Sequence, residues 1–271
     1  VVSSFFNIKD PLRLCFTKNA TEALNYALKG ILKEGDHVIT TCMEHNAVMR
    51  PLKDLENDIG IKITVLNGDK YGRIDTSDIE KSICGRTSLI VCTLSSNVNG
   101  IIYPIKEIGK IAYNNNLIFL VDASQGAGTV KIDVESMHID MLAFPGHKGL
   151  LGPQGTGGLY VRKGVNIKPI IQGGTGSNSE SIYQPDFMPD LLESGTLNTP
   201  GIIGLRYGIE FINSMGLENL KLHKYMLTKR LHEGIEDIKK SVLYSLNSKE
   251  CNSGIVAMNF EEADSTEISY I

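Results

Sequence analysis

Leu117-Ile118-Phe119-Leu120-Val121, closed by Asp122-Ala123-Ser124-Gln125, opens the stretch on which the fold of this chain turns. Met141-Leu142-Ala143-Phe144 follows, delivering Pro145-Gly146-His147-Lys148-Gly149, and Gly158-Leu159-Tyr160-Val161 completes it. Each apolar run has the length of a strand. Short unbroken apolar runs are strands covered on both faces, as in a largely parallel sheet sandwiched by helices. Ligands in such sheets bind outside the carboxyl ends of the strands, so Asp122 and Lys148 are expected to face one crevice.

An acid and a lysine at neighbouring strand ends suit pyridoxal phosphate. The lysine forms the Schiff base and the acid pairs with the pyridinium nitrogen. Taken singly, a lysine is usually a solvated surface group and an aspartate after a strand usually a turn former. The glycine-rich frame Gly152-Pro153-Gln154-Gly155-Thr156-Gly157-Gly158 favours the joint reading, because glycines let the backbone approach a ligand closely.

Val121-Asp122-Ala123-Ser124-Gln125-Gly126-Ala127 and Phe144-Pro145-Gly146-His147-Lys148 resemble the cofactor segments of class V aminotransferases. More narrowly they are similar to the cysteine desulfurase and selenocysteine lyase branch, and the likeness runs along nearly the whole chain. The resemblance implies a fold-type-I α/β domain, with Lys148 holding the cofactor as an internal aldimine and Asp122 on the ring nitrogen. It implies Gln125 at the phenolic oxygen, His147 and Thr21 on the phosphate, and His45 against the ring. Asn97 falls near the phenolic oxygen or the substrate carboxylate. The Gly195-Thr196-Leu197-Asn198 segment, otherwise a polar loop, is expected to cross a homodimer interface and to bring Thr196 to the partner's phosphate.

Composition bounds the alternatives. At 271 residues there is chain for a large core. Net charge −4 without basic clusters gives no reason to expect nucleic acid or an anionic membrane as partner. No apolar run approaches a membrane span and no signal peptide is read. The five cysteines, Cys15, Cys42, Cys84, Cys92 and Cys251, are scattered and odd in number, and the six histidines lack ligand spacing. No metal site is expected, and a reducing cytoplasm is. P-loop, dinucleotide-binding GxGxxG, HExxH and GxSxG patterns are all missing.

Along the chain, strands are expected at Leu12–Phe16, His37–Thr41, Ile61–Leu66 and Leu89–Leu94, with helices between them. Thr17-Lys18-Asn19-Ala20-Thr21-Glu22 joins a strand to a helix carrying Leu24, Ala27, Leu28 and Ile31, a natural anion site. A bare helix cap reads equally well from these residues; the resemblance assigns Ala20 and Thr21 to the cofactor phosphate. Alternating strands and helices argue for an α/β sandwich. Residues 1–212 are expected to form the cofactor-binding large domain. Residues 213–271 are expected to supply linking helices and the start of a small α+β domain, with strands at Val242–Leu246 and Ile255–Phe260.

Two departures from the family pattern stand out. Pro145 takes the place of a serine whose hydroxyl binds phosphate, and proline offers neither hydroxyl nor N–H. Both ends of the family pattern are also expected to be missing, with the sulfur-accepting cysteine and the carboxylate-binding arginine. The expected function is a pyridoxal-phosphate enzyme acting on an amino acid, cysteine desulfurase-like, with an unspecified sulfur-acceptor protein. The chain by itself is expected not to release sulfur at a family-like rate. An aminotransferase of the same fold, or a catalytically incomplete cofactor-binding fragment, are the alternatives.

Overall fold

The computed structural model describes residues 1–262 and 264–269. In chain order the elements are α1 (Val2–Phe5), a 3-10 turn (Pro11–Arg13), β1 (Leu14–Thr17), α2 (Ala20–Ile31), β2 (His37–Thr41), α3 (Asn46–Ile59) and β3 (Lys62–Leu66). There follow α4 (Thr76–Ser82), β4 (Thr87–Thr93), α5 (Ile105–Asn114), β5 (Ile118–Asp122), β6 (Met141–Pro145) and β7 (Gly157–Val161). The chain continues through α6 (Thr199–Met215), α7 (Leu217–Glu236), β8 (Ser241–Leu243), β9 (Met258–Phe260) and α8 (Ser265–Ser269).

Strands β1 to β7 form one sheet in the order β1-β7-β6-β5-β4-β2-β3. All neighbours from β6 to β3 run parallel. β7 is antiparallel to both β6 and β1, so the sheet is mixed at that edge. The short stretch between Pro145 and Gly157 explains this: a parallel return needs a crossover of about a dozen residues or more.

Side chains alternate along each strand. On β5, Phe119 and Val121 join the core layer containing Phe6, Ile108, Phe144 and Ile209. Leu120, between them, points into the opposite layer with Leu24, Leu28, Val48, Leu52 and Leu159. Helices α2 and α3 close that second face, each with its buried residues on one stripe. Burying a leucine of this kind contributes roughly 1.5–3 kcal/mol. These two layers hold the carboxyl ends of β4, β5 and β6 rigidly side by side, with Thr93 opposite Asp122 and Asp122 opposite Ala143.

Two strand expectations are corrected in extent. Leu12 is not in a strand: the Asp10 side chain accepts from Leu12 N at 3.1 Å and caps the 3-10 turn opened by Pro11. The C-terminal hairpin is three residues long on each strand, Ser241–Leu243 against Met258–Phe260. Beyond Tyr244 the ladder ends because Ser245 Oγ, rather than a backbone carbonyl, accepts from Ala257 N at 2.7 Å.

Candidate active site

At the carboxyl edge of the sheet a recess is lined by Asn19, Ala20, Thr21, His45, Ala47, Thr93, Ser95, Asn97, Asp122, Ser124, Gln125, Pro145, His147 and Lys148. It encloses about 470 Å³ free of protein atoms, open solvent at the mouth included. Ala20, Thr21, His45, Asn97, Asp122, Gln125, His147 and Lys148 are thus brought together from segments far apart in sequence. Thr196 is not among them. It lines a neighbouring cavity with Phe16, Tyr26 and Asn198.

The floor of the recess is the N-terminus of α2. Asn19 is extended, and its side chain accepts from Glu22 N at 2.9 Å, while its carbonyl accepts from Ala23 N at 3.3 Å. The first N–H groups of this 12-residue helix therefore face the recess without a helical acceptor. Together with the helix dipole they make an anion site.

Asp122 ends β5 and is 1 % exposed. Its Oδ1 accepts from Ser124 N at 2.9 Å and from Ser124 Oγ at 2.5 Å. Burial pushes its carboxyl up from the ordinary carboxylate range; the two Ser124 bonds and the charges of Lys148 and His45 oppose that rise. Lys148 itself lies exposed at the mouth. Its loop is shaped by glycines: Gly128 has φ +80°, and a Cβ there would stand 2.0 Å from Gly149 O. His45 caps α3, with Nδ1 accepting from Ala47 N at 3.0 Å. That bond puts the neutral ring's proton on Nε2.

Sequence reasoning missed Glu44, Thr93 and Ser124. Glu44 Oε1 accepts from Thr41 Oγ1 at 2.8 Å and from Thr93 N at 2.9 Å, tying the turn before His45 to the end of β4. A glutamate between a strand and a helix carries no signal of burial in sequence alone. Ser124 had one: a hydroxyl two residues after an aspartate is placed for an Asx-type turn.

A sequence profile described as "Aminotransferase class-V" matches residues 1–271. The chain belongs to the class-V aminotransferase family. Its relatives include a "Probable cysteine desulfurase" of Pyrococcus abyssi, 35% identical over 266 residues, which are 96% of this chain and 66% of that protein. "Cysteine desulfurase IscS" of Methanosarcina thermophila is 38% identical over 232 residues, 84% of this chain and 54% of its own length. Among solved structures, the apo cysteine desulfurase of Thermococcus onnurineus NA1 superposes with TM-score 0.90 at 33% identity, covering 99% of this chain and 68% of that one. The chain thus spans between about half and two thirds of these relatives. The fold is that of the fold-type-I enzymes.

Class-V aminotransferases work with pyridoxal 5'-phosphate, and the recess of this family member fits it. Asp122 is a buried acid with no lysine, arginine or histidine in salt-bridge contact among the described residues, so it offers a place for a cationic ring nitrogen. The α2 N-terminus offers donors for a phosphate. Pro145 ends β6 and lines the recess, a wall position that offers neither a hydroxyl nor an N–H. None of the five cysteines lines the recess. Cys15 and Cys92 are buried, and burial pushes both thiols up. No helix among the described residues is long and apolar enough to cross a membrane.

Proposed function

We propose that this protein is a pyridoxal-phosphate enzyme of the cysteine desulfurase type, acting on L-cysteine or a close analogue. The observation that carries the reading is the buried Asp122, without a salt-bridge partner among the described residues, sharing with Lys148 a recess floored by a helix N-terminus. The names of the relatives supply the substrate class.

When bound, the cofactor supplies an electron sink for charge left on the substrate's α-carbon. The chain's own residues do the rest. Lys148 Nζ is the covalent anchor and afterwards the base that takes and returns the α-proton. Asp122 keeps the ring nitrogen protonated. Ala20 and Thr21 N–H, the Thr21 hydroxyl and His147 hold the phosphate, and Gln125 donates to the phenolic oxygen. Asn97 orients the substrate carboxylate. His45 stacks on the ring, and its Nδ1, accepting from Ala47 N, leaves the neutral ring's proton on Nε2. Residues 1–212 act as the cofactor-binding unit, and 213–271 belong to a second unit. Two copies share their sites, with Thr196 reaching the partner's phosphate.

The test is a titration of cofactor-loaded protein with L-cysteine. The visible absorption of the cofactor is expected to change and alanine to appear slowly, since no cysteine lines the recess, with no alanine from Lys148→Ala. A spectrum unmoved by excess L-cysteine, but moved by another amino acid with a keto acid, would favour aminotransfer.

A further inference from the structure

Glu44 is a buried carboxyl group that the family reading leaves without a task. Its Oε1 accepts from Thr41 Oγ1 at 2.8 Å and from Thr93 N at 2.9 Å, which bridges the carboxyl ends of β2 and β4. Its Oε2 is buried with no hydrogen-bond partner among the described residues. Thr93 is the registered neighbour of Asp122, and His45 is the next residue in the chain. One side chain therefore links the turn that carries the ring-stacking histidine to the strand beside the acid behind the ring.

The charge state follows from the surroundings. A buried carboxylate oxygen without a donor is far costlier ionised than protonated. The groups acting on Glu44 include the Asp122 carboxyl from β5, while Cys92 of β4, Tyr103 before α5 and Cys42 after β2 share the same surroundings. None of these is a cation. Two carboxyl groups that feel each other do not both ionise readily, and Asp122 is the better supported, with two donors from Ser124 and the attraction of Lys148 and His45.

We propose, resting on the cofactor reading above, that Glu44 is a positioning residue for this site. It braces the His45 turn against β4 and, by staying protonated, leaves Asp122 as the single carboxylate charge behind the ring. Burial, reinforced by Asp122, pushes the Glu44 carboxyl up to about 8. The folded chain thus holds a proton that the unfolded chain has already lost above the ordinary glutamate range, near pH 4.5. The stability this proton contributes is full below that value and is lost as pH rises through about 8.

Glutamine copies the protonated acid in shape and keeps the acceptor oxygen, so Glu44→Gln separates charge from bracing. Thermal midpoints of the cofactor-free full chain from pH 5 to 9 form the first arm. The wild type is expected to lose stability progressively up to about pH 8, and Glu44→Gln to lose clearly less over the same range. The second arm is pyridoxal phosphate affinity by fluorescence titration. Glu44→Gln is expected to bind within about threefold of wild type and Glu44→Ala at least tenfold more weakly, about 1.4 kcal/mol. Equal pH slopes in wild type and Glu44→Gln, or equal loss of affinity in Glu44→Gln and Glu44→Ala, would overturn the proposal. Wild-type protein that binds no pyridoxal phosphate would instead overturn the cofactor reading, while the first arm still judges Glu44.

Discussion

Burying a carboxyl group without a salt-bridge partner costs free energy, and Asp122 is 1 % exposed. The chain accepts that cost at a strand end that lines the recess. Replacing Asp122 by asparagine keeps an acceptor for the Ser124 donors and removes the charge. Because burial raises the carboxyl in the folded state, its ionisation near pH 7 weighs against folding, so the cofactor-free Asp122→Asn protein is expected to melt at or above the wild-type temperature. Its affinity for pyridoxal phosphate is expected to drop by at least about a hundredfold, the lower end of the ~3–5 kcal/mol lost when a buried charge loses its partner. Thermal melts at pH 7 and a fluorescence titration check the two halves. A variant that is both less stable and unimpaired in binding would contradict the role given to this residue.

At the scale of elements, two turns decide the recess. The Asn19 cap points the first N–H groups of α2 at the phosphate position. Asn19→Ala is expected to cost about 1 kcal/mol of stability in urea unfolding and to weaken phosphate binding with it. Thr21→Ala, which removes no cap, is expected to weaken binding alone. The second turn carries Lys148. Gly128→Ala would force a side chain into a left-handed backbone and within 2.0 Å of Gly149 O, so a loss of more than about 1 kcal/mol is expected, with reduced attachment of the cofactor at Lys148. Much of this was legible beforehand. The runs at Leu117 to Val121 and Met141 to Phe144 announced buried strands, and the helical spacing from Leu24 to Ile31 matched α2. The antiparallel direction of β7 was hidden in the length of a loop rather than in its residues. Glu44 was hidden because its burial depends on three strand ends meeting, a long-range fact with no local trace. The 3-10 turn at Pro11 was hidden by an apolar pattern that a strand would share.

At the scale of the whole molecule, Thr196 stands apart from the recess that its own chain forms. The shared-site dimer proposed above makes a specific demand. Lys148→Ala and Thr196→Ala chains, each impaired alone, are expected to regain cofactor binding when mixed, because a heterodimer carries one site with both native residues. Full binding by Thr196→Ala as a monomer would contradict the shared site. Anchoring has the most direct measurement. The chain carries 27 lysines and arginines together, and lysines spread over its surface are open to unspecific reaction with an aldehyde. Lys148 lines the recess that holds a buried acid and a helix N-terminus, and among the described residues it is the one lysine in that lining. Protein loaded with stoichiometric pyridoxal phosphate, reduced with borohydride and mapped by peptide mass spectrometry, is expected to carry one pyridoxyl group, on Lys148. A label on another lysine, or one scattered among several, would contradict the account at its centre.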